Sequence, residues 1–438
     1  MNSLGNKIRK ARKEKGLTQL QLADNNISRS LLSMIENGTA NPSMATLQYI
    51  ADKLEKPLAY FLVESFEVTE KCESLIASME QALQSQQYET VISEINTFNE
   101  ELLCGNFSYL TNRQSGILHF LLAYGLYYSN PPEAQDYLLK AEALLLKTDS
   151  TLYLSRVYNQ LGLHMFNQNK YTEMEQYLIK SDSLITIVTV DNARIKYNIT
   201  YNLALCYYRQ QKFEEVIRII ENILVYCRKY ELYYSFGDFN MLLALAYKNT
   251  GNLNTAIECN FRAVSYYNFV TDKWMLYRCY VNISILYRLS KDSYSAMNYI
   301  NDAIKYFEET DQIKHLINAR IEKLINMFVF NIDSNSIAGM AKVLIHHESI
   351  ESNPKGELLC LLGCLELKEQ NYEKALTLLK EAESLIQNYI NCGLHIYLYK
   401  GLCEIYTELG KKEEAAEYHQ KSEAIFLQRP YFKDFFES

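Results

Sequence analysis

The chain has 438 residues, of which 48% are hydrophobic and 22% are charged, and this composition predicts more than one packed domain and excludes a disordered protein. With only 15 Gly and 6 Pro it has too few turn-forming residues for a many-stranded β protein, so we predict an all-α fold. The net charge of −8 is uneven, because residues 1–65 contain nine Lys/Arg and six Asp/Glu and are therefore basic, at +3, which leaves −11 behind them. A basic front followed by an acidic body favours a polyanionic partner for the front.

Residues 1–65 contain the start and stop signals of five short helices. Thr18, Ser28 and Ser43 are typical N-caps of the second, third and fourth helices, and Pro57 is a typical first residue of the fifth. Gly38 follows Asn37 at the end of the third helix. The apolar residues expected on the core-facing sides are Leu4, Ile8, Ala11, Leu20, Leu22, Ala23, Leu31, Leu32, Ile35, Leu47, Ile50, Ala51, Leu54, Tyr60, Phe61 and Leu62.

The second and third helices are joined by a tight turn, which is the helix-turn-helix arrangement that presents its second helix to the major groove of DNA. If Leu31, Leu32 and Ile35 face the bundle, the other side of the third helix is free to meet base edges, with Met34 at its margin. Arg29 is the best candidate for base recognition, since a guanidinium can bind guanine O6 and N7 together. The predicted DNA-contacting residues are Gln19, Ser28, Arg29, Ser30, Ser33 and Asn37, with Lys7 and Lys10 near the phosphates.

The front of the chain resembles the Xre/Cro type of helix-turn-helix domain. The resemblance rests on Leu4 to Arg9, on Gly16-Leu17-Thr18-Gln19, on Ser28 to Gly38 and on Asn41-Pro42-Ser43. In that family the residues matching Arg12 and Glu36 form an ion pair inside the domain. The resemblance therefore implies a structural role for Arg12 instead of a role in reading DNA.

After a predicted linker at residues 66–75, residues 76–438 carry a repeat of about 40 residues. Each unit has an apolar stretch with a small residue, a Tyr three positions later, a turn, and a new apolar position. The turn positions are Tyr171, Phe213, Leu253 and Ser293, with Tyr372 about two periods further on. The pattern predicts a right-handed α-solenoid of helical hairpins that resembles tetratricopeptide (TPR) repeats, and residues 313–350 fit it poorly.

The first helix of each hairpin in such a solenoid lines a concave groove that commonly takes an extended peptide or a partner helix. Amide side chains on neighbouring helices can bind a peptide backbone, since each offers one donor and one acceptor. Asn202 and Asn282 are the strongest candidates because they share the same position in their repeats. The full set predicted from the repeat phase is Arg156, Asn159, Asn198, Tyr201, Asn202, Asp238, Met241, Arg278 and Asn282.

An Xre-type domain ahead of repeats of this length resembles the RRNPP regulators, the Rgg, PlcR, NprR and PrgX group of Gram-positive quorum sensors. The resemblance implies a homodimer that binds palindromic operator DNA and that binds a short signalling peptide in the groove of the repeats. Binding of the peptide would then change the spacing of the two DNA-binding domains. A dimer reads two half-sites one helical turn or more apart, so small changes in the repeats would alter DNA affinity.

Two other functions are compatible with the same pattern: a TPR scaffold that clamps a protein partner, and a repressor whose repeats only dimerise. The ten Cys are scattered singly, no secretion signal or membrane-spanning run is visible, and we expect a reduced, cytoplasmic protein. No phosphate-binding loop, nucleophile elbow or zinc-site spacing occurs, since His346-His347 and the pair Cys360 and Cys364 lack a second set of ligands. We therefore expect neither an enzyme nor a cofactor or metal.

Overall fold

The computed structural model describes residues 3–24, 26–62, 65–101, 110–186, 189–233, 235–386 and 392–428. All regular elements in these ranges are helices, so the all-α prediction is confirmed. The chain divides into two compact units, Met1–Cys206 and Tyr207–Ser438. Among the described helices, none is both long enough and apolar enough to cross a bilayer.

Five short helices form the front of the first unit, as predicted: α1 (Ser3–Glu14), α2 (Gln19–Ala23), α3 (Arg29–Glu36), α4 (Met44–Lys53) and α5 (Leu58–Leu62). All three predicted N-caps are present. The side chains of Thr18, Ser28 and Ser43 accept hydrogen bonds from backbone N–H groups three residues later, at 3.1–3.2 Å. One apolar prediction is wrong: Leu20 is 66% exposed, because α2 turns only Leu22 and Ala23 towards the core.

The rest of the first unit contains longer helices that pack in antiparallel pairs. Residues 66–75, the predicted linker, lie within the first of these helices. The elements are α6 (Ser65–Gln84), α7 (Tyr88–Glu101), α8 (Asn112–Leu126), α9 (Pro131–Leu145), α10 (Thr151–Asn167), α11 (Tyr171–Ser183) and α12 (Val190–Arg209), whose last residues belong to the second unit.

The second unit continues the alternation of paired helices. Its elements are α13 (Phe213–Tyr230), α14 (Phe236–Asn249), α15 (Leu253–Phe269), α16 (Lys273–Leu289), α17 (Ser293–Glu309), α18 (Ile313–Val329), α19 (Ser334–Ile345), α20 (Ser352–Lys368), α21 (Tyr372–Ile386), α22 (Cys392–Glu408) and α23 (Lys412–Gln428). The pairs α14/α15, α16/α17, α18/α19, α20/α21 and α22/α23 are in direct contact.

The second helix of each repeat begins where the sequence pattern places the turn. The helices α11, α13, α15, α17 and α21 start at the five predicted residues, Tyr171, Phe213, Leu253, Ser293 and Tyr372. Successive starts from Tyr88 to Lys412 lie 38–43 residues apart. Three residues after each start stands a buried residue: Val91, Ala134, Met174, Val216, Ala256, Ala296, Ile337, Ala375 and Ala415.

Residues 313–350, which fit the sequence pattern poorly, nevertheless contain the helix pair α18/α19. The pattern is hidden there because Ile337 replaces the more usual Ala, and because α18 contains no Tyr at the expected spacing. Both helices are nevertheless anchored, since Ile325 and Ile337 are buried in the same apolar cluster. The repeat therefore continues without interruption through this stretch.

Small residues in the first helix of a pair allow the two helices to approach closely. A Cβ added to Gly162 would lie 3.0 Å from Cγ of Leu178, and one added to Gly363 would lie 2.6 Å from Cδ2 of Leu379. Ser284 occupies the matching position in α16, and its hydroxyl donates to the carbonyl of Ala296 at 2.8 Å. The predicted role of the small residue is confirmed at these contacts.

Candidate DNA-binding and ligand-binding sites

The third helix of the front domain presents one polar side to solvent. Its apolar residues Leu32 and Ile35 are almost completely buried in the front core, and Leu31 packs against that core. Arg29 and Ser30 are exposed near the N-terminal end of α3, and Ser33 is half-buried. The helix therefore offers a guanidinium and a hydroxyl beside its capped N-terminus, which is a suitable arrangement for base edges and phosphates.

A buried carboxylate holds the first three helices together. The guanidinium of Arg12 donates to both carboxylate oxygens of Glu36, at 2.6 and 3.0 Å, so the ion pair implied by the family resemblance is present. Burial alone would raise the pKa of Glu36, but hydrogen bonds from Arg12 and Gln19 and the charges of Arg12 and Arg9 outweigh it, and the pKa is lowered below 4.5. The cluster fixes α1 and α2 against the end of α3.

Two of the predicted DNA-contacting side chains are engaged within this cluster. The amide of Gln19 donates to Glu36 at 3.0 Å, and the amide oxygen of Asn37 accepts a hydrogen bond from Arg9. Ser28 is occupied as the N-cap of α3. These contacts bring Gln19, Ser28 and Asn37 to the edge of the exposed face of α3. Hydrogen bonds within the protein therefore fix the positions of these three side chains before any DNA is bound.

The predicted phosphate-binding lysines lie on α1. Lys10 is exposed, and its ammonium lies 4.0 Å from the carboxylate of Glu14, one turn later. Lys7 is half-buried. The end of α1 near Gly5 crosses α3 so closely that an added Cβ would lie 2.4 Å from the carbonyl oxygen of Ile35. Gly5 therefore sets the position of Lys7 and Lys10 relative to α3.

Of the predicted ligand-binding residues in the first unit, two meet directly. The amide of Asn202 on α12 donates to the amide oxygen of Asn159 on α10 at 2.9 Å. Asn198 is exposed one turn before Asn202, and Tyr201 is half-buried. Since α10 and α12 are the first helices of successive repeats, the contact shows that equivalent faces of these helices adjoin. These side chains offer the amide groups that an extended peptide backbone requires.

Arg156, also on α10, has partners that were not evident from the sequence pattern. Its guanidinium donates to Glu80 of α6 at 2.6 Å and lies 4.8 Å from the ring centre of Phe120. The hydroxyl of Tyr153 donates to the same oxygen of Glu80 at 3.0 Å. Burial, together with the charge of Glu80, raises the pKa of Tyr153 to about 12. In the sequence, the only sign of these contacts is that Glu73 and Glu80 lie seven residues apart and so share one face of α6.

In the second unit the predicted residues are less open. Asp238 accepts a hydrogen bond from the hydroxyl of Tyr267 at 2.7 Å, and burial raises the pKa of its carboxyl although Tyr267 and the charge of Arg278 oppose this. The guanidinium of Arg278 lies 4.7 Å from the ring centre of Trp274. Met241 does not line an open surface: it is only 9% exposed, because it packs in the core between α14 and α15.

Asn282, the strongest candidate in the second unit, is half-buried on α16. It lines a small depression together with Asn260 of α15 and Lys248 of α14. Asn260 is buried, and among the described residues its amide oxygen has no hydrogen-bond partner. The amide oxygen of Asn260 therefore retains unused capacity for hydrogen bonding within the described part of the chain, beside Asn282.

A buried polar network in α16, α18 and α20 was missed by sequence reasoning. Arg288 donates to Glu322 at 2.7 Å and to the amide oxygen of Asn326 at 2.8 Å, and the amide of Asn326 donates to Ser284. Burial and the nearby charge of Glu322 raise the pKa of Glu357 to about 8, although Arg288 opposes the shift. The network connects the first helices of three successive repeats.

Eight cysteines whose side chains are described are free thiols, and all of them except Cys403 are buried: Cys72, Cys206, Cys227, Cys259, Cys279, Cys360, Cys364 and Cys403. The seven buried thiols pack as small apolar residues in the core. Among the described residues no group of three or more His, Cys, Asp or Glu side chains is arranged to hold a metal ion.

Comparison with known proteins gives a different answer for each part of the chain. Residues 8–61 match the Helix-turn-helix family. The Immunity repressor protein of Bacillus phage phi105 is 47% identical over 53 residues, a match that covers 12% of this chain and 37% of the repressor. The chain therefore spans about a third of the length of this curated relative. The front of the chain is an Xre-type helix-turn-helix domain.

The helical repeats have the fold of two solved structures. The apo form of the quorum sensor NprR from B. thuringiensis matches with a TM-score of 0.62 at 16% identity, covering 82% of this chain and 99% of NprR. The apo form of RapI matches with a TM-score of 0.64 at 13% identity, covering 81% of this chain and 97% of RapI. At these identities the likeness shows a common fold of helical repeats, which confirms the predicted fold class.

Proposed function

We propose that this chain, which joins an Xre-type helix-turn-helix domain to helical repeats with the fold of NprR, is a transcription regulator that binds operator DNA as a dimer and is switched by a short signalling peptide. The observation that carries the first half is the exposed polar side of α3, where Arg29 and Ser30 stand free beside a capped helix N-terminus. Because a regulator acts where its operator DNA is, we propose the cytoplasm as its site of action.

Peptide binding is supported by the amides of Asn159, Asn198 and Asn202 on adjoining helices in the first unit and of Asn282 in the second. Paired amides suit an extended backbone, whose N–H and C=O groups repeat along the chain. NprR, which shares the repeat fold, is a quorum sensor. The proposed role is regulation without catalysis.

The DNA-binding half is tested by selecting binding sites from random duplex DNA with the full chain and measuring affinity by fluorescence anisotropy. We expect a two-part site whose halves lie one helical turn or a small multiple apart. Arg29→Ala should weaken specific binding by roughly 1–3 kcal/mol and relax the base preference at one position. If Arg29→Ala bound both selected and unselected DNA with the same affinities as the natural chain, this assignment would be contradicted.

The peptide-binding half is tested with the double variant Asn202→Ala and Asn282→Ala. The expected result is intact operator binding with loss of the response to a peptide that shifts operator affinity of the natural chain. Asn268→Ala, an exposed amide on α15, is the matched control and should leave the response unchanged. A scaffold or a ligand-independent repressor would show no peptide response in any of these proteins.

A further inference from the structure

The ion pair between Arg156 and Glu80 joins two helices that are far apart in the sequence. The nitrogen and oxygen lie 2.6 Å apart, and 76 residues separate them along the chain. Glu80 belongs to α6, which begins three residues after α5 ends and so follows the helix-turn-helix domain directly. Arg156 belongs to the α10 face that also carries Asn159, one of the proposed peptide-binding residues.

The surroundings of Arg156 form a preorganised receptor for a carboxylate. Its guanidinium lies against the rings of both Phe120 and Tyr153, 4.8 and 5.1 Å from their centres, and these two rings meet edge to face with centres 6.4 Å apart. The hydroxyl of Tyr153 points at the same carboxylate oxygen of Glu80, at 3.0 Å. A stacked guanidinium and a phenol that converge on one oxygen fix both the position and the orientation of a bound carboxylate.

A further positively charged side chain acts on the same part of the first unit. Arg194 on α12 is exposed, and its charge acts on the hydroxyl of Tyr124 together with that of Arg156. No carboxylate of the described residues pairs with Arg194. In three successive first helices, Arg113 of α8 pairs with Glu73 of α6 at 2.9 Å, Arg156 of α10 pairs with Glu80, and Arg194 of α12 pairs with no carboxylate among the described side chains.

The contact with Glu80 is open to exchange. The side chains of Arg156 and Glu80 are 25% and 31% exposed. An ion pair with this access to water contributes little to stability, because hydration of the separated charges offsets most of the attraction. A ligand carboxylate that took the same place would satisfy the same donors, and it would gain the additional charge of Arg194.

We infer that Arg156, Tyr153 and Arg194 form a subsite for a carboxylate of the ligand, and that Glu80 occupies this subsite when no ligand is bound. The inference rests on the proposed sensor function and names a chemical requirement of its ligand, a carboxylate at the C-terminus or on a side chain. Binding of that carboxylate releases Glu80, and with it the attachment of α6 to α10. Since α6 directly follows the DNA-binding domain in the chain, the loss of its attachment to α10 is transmitted to that domain.

The test uses the full chain and pools of synthetic heptapeptides. One set of pools compares a free C-terminal acid with a C-terminal amide, and a second set fixes Asp or Glu against Asn or Gln at each position. We expect at least about tenfold tighter binding of pools with the required carboxylate. The two sets distinguish a terminal carboxylate from a side-chain carboxylate.

Three variants localise the effect. Arg156→Gln should remove the preference for the carboxylate, and Glu80→Gln should strengthen binding of the preferred pools severalfold, because the internal competitor is gone. Glu73→Gln is the matched control, since it breaks the other ion pair of α6 and should leave the preference intact. Hydrogen exchange of the α6 amides should be faster in Glu80→Gln than in the natural chain, even without peptide.

The outcomes separate this inference from the proposed function. Pools that bind with no preference for a carboxylate, or a preference that survives Arg156→Gln, would overturn the subsite and leave peptide sensing standing. Unchanged affinity and unchanged α6 exchange in Glu80→Gln would overturn the competition by Glu80. Absence of binding by every pool would overturn the proposed sensor and this subsite with it.

Discussion

Glu36 shows how one buried carboxylate governs the pH response of the front domain. Its side chain is fully buried, and its pKa is lowered because Arg12, Gln19 and Arg9 outweigh the effect of burial. A group with a lowered pKa in the folded state contributes stability above its unfolded pKa and loses it as the pH falls through the folded value. The contribution of Glu36 is therefore fully present at neutral pH and is lost progressively as the pH falls below about 4.5.

The corresponding substitution is Glu36→Gln. We expect it to destabilise the front domain by roughly 1–3 kcal/mol at pH 7, since Arg12 loses its charged acceptor. The difference from the natural chain should shrink as the pH falls below 4.5. This difference in stability is measured by thermal unfolding that is monitored through hydrogen exchange of the backbone amides of residues 3–62. Glu14→Gln, an exposed partner of Lys10, is the control and should change little.

Glu357 changes the stability of the fold with pH in the opposite direction to Glu36. Its pKa is raised to about 8, because it is buried beside Glu322 and Arg288 compensates only in part. A carboxyl with a raised pKa binds its proton more tightly in the folded state, so the folded state loses stability as the pH rises from about 4.5 to about 8. We therefore expect the second unit to be less stable at pH 9 than at pH 6.

Replacing the carboxyl with a neutral amide tests this. In Glu357→Gln the midpoint of thermal unfolding should depend less on pH between 6 and 9, and at pH 9 it should exceed that of the natural chain. Glu351→Gln, whose exposed carboxylate pairs with Lys314, should follow the natural chain at both pH values. An unchanged pH dependence in Glu357→Gln would assign the effect to another group.

Two glycines distinguish crossing helices from a free helix surface. At Gly5 an added Cβ would lie 2.4 and 2.8 Å from the carbonyl oxygens of Ile35 and Glu36, which are backbone atoms that cannot move aside alone. At Gly339 on α19 an added Cβ would meet nothing within 4 Å. The same chemical change should therefore have opposite effects on the two elements.

Gly5→Ala should destabilise the front domain by about 1–3 kcal/mol, because α1 must move away from the end of α3. Gly339→Ala should stabilise α19 by about 0.5–1 kcal/mol, since alanine loses less backbone entropy in a helix. Calorimetric scans of both variants compare the two unfolding midpoints. A stabilising Gly5→Ala would mean that α1 and α3 do not cross at this position.

For the whole molecule, the uneven charge predicts how DNA binding responds to salt. The front carries +3 and the remainder −11, so attraction to DNA depends on a few local contacts against an acidic background. The logarithm of the affinity should fall linearly with the logarithm of the salt concentration, with a slope of about −0.9 per phosphate contact. Lys10→Gln should reduce the magnitude of this slope by about 1, as anisotropy titrations can show.

Arg29→Ala provides the contrast. If Arg29 reads a base, its loss should lower the ratio of specific to non-specific binding, whereas Lys10→Gln should weaken both about equally. A loss of discrimination in Lys10→Gln with none in Arg29→Ala would exchange the roles that we assign to these two residues.

The helices and their order follow from local features of the chain. Thr18, Ser28 and Ser43 cap helices within three residues of themselves, and the apolar period of the repeats places the start of α11, α13, α15, α17 and α21 at the predicted residue. Such signals work over one or two helical turns, so they can be recognised without the rest of the molecule. The Xre-type domain and the repeat fold are both recognised in this way.

Which side chains pair with one another, and which are buried, could be learned only from the folded chain. Gln19 bonds to Glu36, Arg156 bonds to Glu80 across 76 residues, and Met241 is buried by residues of α15 and α16. Each of these outcomes depends on which helices come together and on how each helix is rotated about its axis. Helical periodicity limits the possible faces to within about a third of a turn, and that uncertainty is large enough to move a side chain from a groove into the core.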